Sequence, residues 1–270
     1  MELPIAPQTY QPTPEALVRA VMRSNLILAR MAAEETTLDG ATALTDPKRP
    51  RVRFVNCAME VSVPEGFTAA SVLDGIDAHF AQRGLRCGAL YPASKWPADM
   101  TRLIESRGYR PRTMDVHLLA SYLPPETVNA ALQIIPGRAA MREVRELFQE
   151  SAAMESGGGA ALAAEIADAM MDRLDEPRAE IFLARLDRRP LGVVVLVTLG
   201  QIGVIDFVYT AAGARGKGVG TTLLGHAIEH CKRAQFERVI LEAPPGCPAV
   251  PLYARLGFKP VASFVQYERP

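Results

Sequence analysis

Residues able to perform chemistry crowd into one stretch, Ile205 to Gln235, of this 270-residue chain. There Arg215, Gly216, Lys217, Gly218, Val219, Gly220 and Thr221 stand between an apolar run and an apolar-periodic segment. Glycines at a strand-to-helix junction let backbone N–H groups face outward with no Cβ in the way. The first turn of a helix leaves those N–H groups without internal partners, and the helix dipole adds partial positive charge. Together they make an anion site. Arg215 and Lys217 add full charges, and an arginine can hold a phosphate through two parallel bonds. The number of donors points to a pyrophosphate. Two familiar phosphate loops fail. A Walker A loop needs Ser or Thr after its lysine, and Gly218 follows Lys217. A dinucleotide fingerprint needs a last glycine where Thr221 or Leu223 stands.

The elements around the loop must hold it. Ile202 to Thr210 reads as the strand before it, and a helix follows to about Arg233. Then come a strand at Arg238 to Ala243, a short helix at Val250 to Leu256 and a last strand at Pro260 to Glu268. Upstream, Ala130 to Ile135 reads as strand, Arg138 to Glu150 and Ala160 to Leu174 as helices, and Ser156 to Gly159 as a flexible break. Ile181 to Leu186 and Leu191 to Leu199 flank a hairpin turn at Asp187-Arg188-Arg189-Pro190. In the first half, the opening eight to fourteen residues are extended. A helix runs from about Pro14 to Glu34, with Thr13 as cap and proline in the first turn. Asp46 to Pro50 is a turn between strands. Arg51 to Val63, Leu85 to Tyr91 and Arg110 to Leu119 are strands; Thr68 to Arg83 and Pro97 to Arg107 are helices.

An internal repeat is visible. Leu103 to Leu119, LIESRGYRPRTMDVHLL, lines up with Leu252 to Glu268, LYARLGFKPVASFVQYE. Gly108 meets Gly257, Tyr109 meets Phe258 and Pro111 meets Pro260. The first copy lacks the loop: VSVPEGFTAASVL precedes its helix, with one glycine and no arginine.

Bulk properties narrow the function. Lys plus Arg and Asp plus Glu both number 30, which argues against a dedicated nucleic-acid binder. Cys57, Cys87, Cys231 and Cys247 show no C-x-x-C pairing and no metal-ligand spacing with the histidines. They suit free thiols in a reducing compartment. His226 and His230, one helical turn apart, read as a solvated pair without further ligands. No basic n-region or long h-region opens the chain, and the longest apolar run, Leu191 to Leu199, is too short to span a bilayer. The expectation is a cytoplasmic protein with no metal, no nucleic acid and no membrane partner.

Arg215, Gly218 and Gly220 do satisfy a third phosphate loop, R-x-x-G-x-G. With it, the preceding DFVYT, Leu223-Leu224 and the downstream LYARLGF, the sequence resembles the GNAT superfamily of acyl-CoA N-acyltransferases over roughly residues 130 to 270. The resemblance implies the GNAT α/β fold, a mixed central sheet flanked by helices. It implies that the loop cradles the pyrophosphate of acetyl-CoA or another acyl-CoA. It implies that Phe207, Val208, Tyr209 and Thr210 offer backbone groups to the pantetheine arm, much as a sheet edge takes up a peptide. Tyr253 falls where the family has a tyrosine that protonates the departing thiolate. Asp206 and Glu242 are the candidate general bases. Cys247 has no basic neighbour to activate it and reads as an inert thiol. One departure stands out: Gly246 occupies the place of an asparagine common in the family, within APPGCPAVP.

The sequence thus reads as a tandem protein. Residues 1–126 form a degenerate copy without a cofactor loop, and 127–270 an acetyltransferase that passes an acetyl group directly to a primary amine on a small molecule or peptide. A non-catalytic acyl-CoA-binding protein and an interaction module are the rival readings.

Overall fold

The computed structural model describes residues 12–94, 96, 98–125, 128–157 and 159–270. Expectations for the first eleven residues, for Pro97, for Gly158 and for the chain at 126–127 lie outside them. The elements run α1 (Pro14–Arg30), β1 (Glu34–Leu38), β2 (Ala41–Thr45), β3 (Cys57–Val61), α2 (Ala69–Ala81), β4 (Ala89–Pro92), α3 (Ala98–Ser106), β5 (Arg110–Leu119) and β6 (Gln133–Pro136). They continue with α4 (Met141–Ser156), α5 (Gly159–Met171), β7 (Ala179–Leu186), β8 (Arg189–Leu199), β9 (Ile202–Thr210), α6 (Val219–Arg233), β10 (Arg238–Ala243), α7 (Val250–Leu256) and β11 (Phe258–Glu268).

Most expected elements are present, with some corrections. The first helix ends at Arg30 rather than Glu34, and the β1–β2 hairpin occupies Glu34 to Thr45, where no element was expected ahead of the turn at Asp46. Strand β1 reads EETTL and is mostly exposed, so it carries no apolar alternation to betray it. The strand expected over Arg51 to Val63 shrinks to β3, because Arg53–Val55 is a 3-10 turn. The strand expected at Ala130 to Ile135 begins three residues later, at Gln133, and the following helix begins at Met141 rather than Arg138.

The eleven strands of the described residues join one sheet in the order β1-β2-β3-β4-β11-β5-β10-β9-β8-β7-β6. The expected mixed sheet with flanking helices is there, but the two halves share it. The unit β3-α2-β4-α3-β5 recurs as β9-α6-β10-α7-β11, and in each unit the first two strands pair in parallel. The last strands are then exchanged. β5 of the first unit lies beside β10 of the second, and β11 of the second beside β4 of the first. At the centre β5 and β11 pair antiparallel from Phe258↔Leu119 to Glu268↔Arg110.

Each sheet face buries a different core. Helix α6 lays Val219, Leu223, Ala227, Ile228 and Cys231 against Phe182, Leu196, Ile205 and Leu241, and α7 adds Tyr253 and Leu256 to the same cluster. The buried positions repeat at three- and four-residue spacing, so one stripe of the helix meets the sheet. Helix α1 covers the other face, where Leu17, Val21 and Leu28 pack on Val116, Val204, Ile240 and Phe264. Burial of each such side chain contributes about 1.5–3 kcal/mol.

Candidate active site

The site is made by a failure of pairing. β9 and β10 pair from Ile202↔Arg238 to Ile205↔Leu241 and then part, although β9 continues to Thr210 and β10 to Ala243. On its other edge β9 stays bonded to β8, but the register shifts between Leu196↔Ile205 and Val195↔Phe207. Asp206 is the extra residue, a β-bulge that bends β9 away from β10. Beyond it, the β10-facing edge of β9 has no strand partner among the described residues.

A cleft of about 1380 Å³ opens along that edge. Val208, Tyr209 and Thr210 line it, as do Arg215 to Thr221 and, from α7, Leu252 and Tyr253. Helix α6 starts at this cleft. Its cap, Gly218, sits at φ 79°, a left-handed conformation in which any Cβ is strained. No side chain caps the helix and no acid lies in its first turn, so the end of α6 retains the donors of an anion site. Lys217 Nζ donates to the Gly213 carbonyl at 2.8 Å and Arg215 Nε to that of Thr210 at 3.4 Å, which folds both cations back onto the loop's own backbone. The equivalent helix of the first unit, α2, is closed. Thr68 and Ser71 form a reciprocal capping box at its start, and Trp96 Nε1 donates at 2.8 Å to the carbonyl of Val61, at the end of β3.

Tyr253 is buried in the cleft wall, and burial, with Cys247 nearby, pushes its phenol up to about 12. Its proton therefore stays on at neutral pH. Its ring centroid lies 6.1 Å from that of His117, a residue of the exchanged strand β5. His117 Nε2 is buried without a hydrogen-bond partner among the described residues, and burial lowers its pKa. Nothing in the sequence pointed to His117, because its place beside Tyr253 depends on the exchange.

The two carboxylates do not line this cleft. Glu242 pairs with Val116 across the ladder and so shares the α1 face of the sheet, whereas Leu241 and His117 share the α6–α7 face. Asn25 Nδ2 of α1 donates to Glu242 Oε1 at 3.1 Å. The other oxygen, Oε2, is enclosed and without a partner among the described residues. Burial pushes the carboxyl up to about 7; Asp206 raises it further, while Asn25, Arg112 and Arg173 act against burial. Asp206 forms an ion pair with Arg173 at 2.6 Å, its side chain only 6% exposed. The Arg173 guanidinium also lies 5.1 Å from the ring centroid of Phe54, from the first half. Asp206 and Glu242 flank the point where the strands part.

Other expected residues have plainer surroundings. Phe207 turns its ring onto Phe148, centroids 5.5 Å apart, and does not line the cleft. Cys247 is half-buried on the cleft wall as a free thiol. His226 and His230 are half-buried rather than solvated, with ring centroids 4.7 and 5.2 Å from that of Phe182. Among the described residues no three His, Cys, Asp or Glu side chains converge as a metal site, and no helix is long and apolar enough to cross a membrane.

The strand bulge, the parted strands and the open helix start all fall within a segment, residues 141–258, that matches the model of the Acetyltransferase (GNAT) family. This segment is a GNAT acetyltransferase domain. Solved structures extend the likeness of the fold to nearly the whole chain. A GCN5-related N-acetyltransferase from Kribbella flavida superposes with a TM-score of 0.62 at 16% identity, over 94% of this chain and 95% of that one. A conserved protein from Staphylococcus epidermidis ATCC 12228, described as functionally unknown, gives 0.66 at 15% identity, over 88% and 95%. A GCN5-related N-acetyltransferase from Sphaerobacter thermophilus gives 0.50 at 20% identity, over 74% and 67%. At these identities the likeness is one of fold. No curated protein matches the sequence. The GNAT domain supports acyl transfer in general as the activity of this chain.

Proposed function

We propose that the protein is an acyl-CoA-dependent N-acyltransferase that passes an acetyl group directly to a primary amine in a ternary complex. The observation that carries this is the meeting of an unpaired strand edge, an uncapped helix start and a protonated tyrosine in one cleft. The cleft has the parts acyl-CoA needs. Helix α6 and its glycines offer N–H donors to a pyrophosphate, and the edge of β9 from Phe207 to Thr210 offers main-chain groups to the pantetheine arm. The acceptor is a small molecule or peptide bearing the amine.

Each chemical role then falls to a residue. The amine must be neutral to attack the thioester carbonyl. Glu242, with a pKa of about 7, does not line the cleft but sits where the strands part, and we assign it to take that proton through an intervening water, being ionised in a large enough fraction at neutral pH and basic enough to hold it. Asp206 suits the role less well, because protonation would sacrifice its buried pairing with Arg173. We assign it to keeping that cation beside Glu242. As the carbonyl oxygen gains charge, a free N–H of β9 stabilises it. The tetrahedral intermediate then expels thiolate, and Tyr253 gives up its proton to the sulfur. The amide is the product, with free CoA.

We assign residues 1–126 to a degenerate GNAT-like copy and 127–270 to the active one. The repeated order of elements supports this, as do the capping box and Trp96, which satisfy in the first unit the groups that are open in the second. The free thiols favour a reducing compartment and hence the cytoplasm. Calorimetry with acetyl-CoA tests donor binding and should give one site per chain. Thiol release with a panel of amines tests transfer. Two equivalent donor sites would sink the assignment of the halves, and binding without thiol release from any amine would leave an acyl-CoA-binding protein.

A further inference from the structure

Described residues of the connection between the halves lie against the donor cleft on both sides of 126–127. Leu123 N–H donates to the Leu256 carbonyl at 3.1 Å, and Leu123, Val128 and Asn129 line the cleft itself. Asn129 reaches the glycine loop directly. Its Nδ2 donates to the Lys217 carbonyl at 3.1 Å, and its backbone N–H donates to Thr222 Oγ1 at 3.3 Å. Its own Oδ1 accepts from Ala131 N–H at 3.2 Å, which fixes the side chain's orientation.

A trans peptide is planar, and its C=O and N–H point in opposite directions. If Asn129 holds the Lys217 carbonyl on its own side, the N–H of the same peptide, that of Gly218, must point away from Asn129. Gly218 is the N-cap of α6, and its N–H has no backbone partner among the described residues. Gly218, which carries the N–H of this peptide, has no side chain to hinder its rotation and lies at φ 79°. A freely rotating peptide would spend part of its time with the carbonyl oxygen, not the N–H, facing a bound anion.

We propose that Asn129 is a positioning residue for the donor: it locks the Lys217–Gly218 peptide so that the Gly218 N–H serves the pyrophosphate. The inference rests on the reading of the cleft as an acyl-CoA site. It makes the connection between the halves part of the donor site, outside the segment that matches the family.

The test uses the full-length protein with Asn129→Ala and Asn129→Asp, titrated with CoA and with pantetheine, which ends before the pyrophosphate. Releasing the peptide lowers the competent fraction, and apparent affinity falls in proportion. For a competent fraction of about one tenth, the ratio of the CoA to the pantetheine dissociation constant rises about tenfold in Asn129→Ala. Asn129→Asp keeps the acceptor for Ala131 but loses the donated bond and adds a negative charge, so its ratio rises further. Melting of the ligand-free variants stays at the parent value. An unchanged ratio, or a lowered melting temperature with both ligands weakened alike, overturns the proposal. If the parent protein binds no CoA, it is the acyl-CoA reading that falls, and this inference falls with it.

Discussion

Replacing Glu242 by glutamine should weaken catalysis and strengthen the fold at the same time. The carboxyl has an ordinary value of 4.5 and is pushed to about 7 in the folded protein, chiefly by burial. A raised value means that the folded state binds the proton more tightly than the unfolded one. The stability contributed is therefore fully present below about pH 4.5 and is lost as pH rises toward 7. At about 1.36 kcal/mol per pKa unit, the loss is on the order of 3 kcal/mol once pH passes 7. Glutamine occupies the same volume, can still accept from Asn25 and does not titrate. Urea denaturation of parent and Glu242→Gln at pH 5 and pH 8 measures the effect. The variant should gain on the parent by on the order of 3 kcal/mol between the two pH values, and any constant difference between the side chains cancels. Its kcat should fall by about 10²-fold, and the parent's kcat should rise with pH through about 7. A stability difference that is the same at both pH values would refute the reasoning, because it would mean that the buried carboxyl is not strained by ionisation.

Tyr253→Phe should lower kcat by about 10²-fold with little change in CoA affinity, and an unchanged kcat at saturating substrates would remove the phenol from the reaction. Gly218→Asp should weaken CoA binding by at least about 100-fold, because it forces a side chain into a left-handed conformation and sets a carboxylate against the pyrophosphate. Space is not the obstacle, since the nearest atom to a Cβ there would be Asn129 Cβ at 3.7 Å. A fragment of residues 127–270 retains the whole glycine loop but lacks β5, which separates β10 from β11. It should fail to fold cooperatively, as read by circular dichroism and solubility; a soluble fragment that binds CoA would contradict this.

The sequence by itself determined the local chemistry. Arg215 to Thr221 open a helix whose first N–H groups no side chain caps, because glycines there leave the backbone bare, and such a signal needs no distant partner. The 3.6-residue spacing of Val219, Leu223, Ala227 and Cys231 placed α6 beside it for the same reason. The repeat of Gly108 and Gly257 was legible because both end a helix in the left-handed conformation, at φ 86° and 100°. Tertiary structure decided everything that depends on which strand lies next to which. An apolar alternation says that a strand is buried, but β5 and β11 satisfy it equally well in either half, so their exchange left no mark in the sequence. Glu242 is raised to about 7 only because α1 closes over it, and its partner Asn25 lies 217 residues away. Arg173 meets Asp206 across 33 residues, His117 meets Tyr253 through the exchanged strand, and Asn129 meets the glycine loop across 88. Hydrogen bonds and burial act through space at a few ångströms. The sequence can therefore name the groups that carry the chemistry, while only the folded chain fixes which of them are neighbours and what charge each one holds.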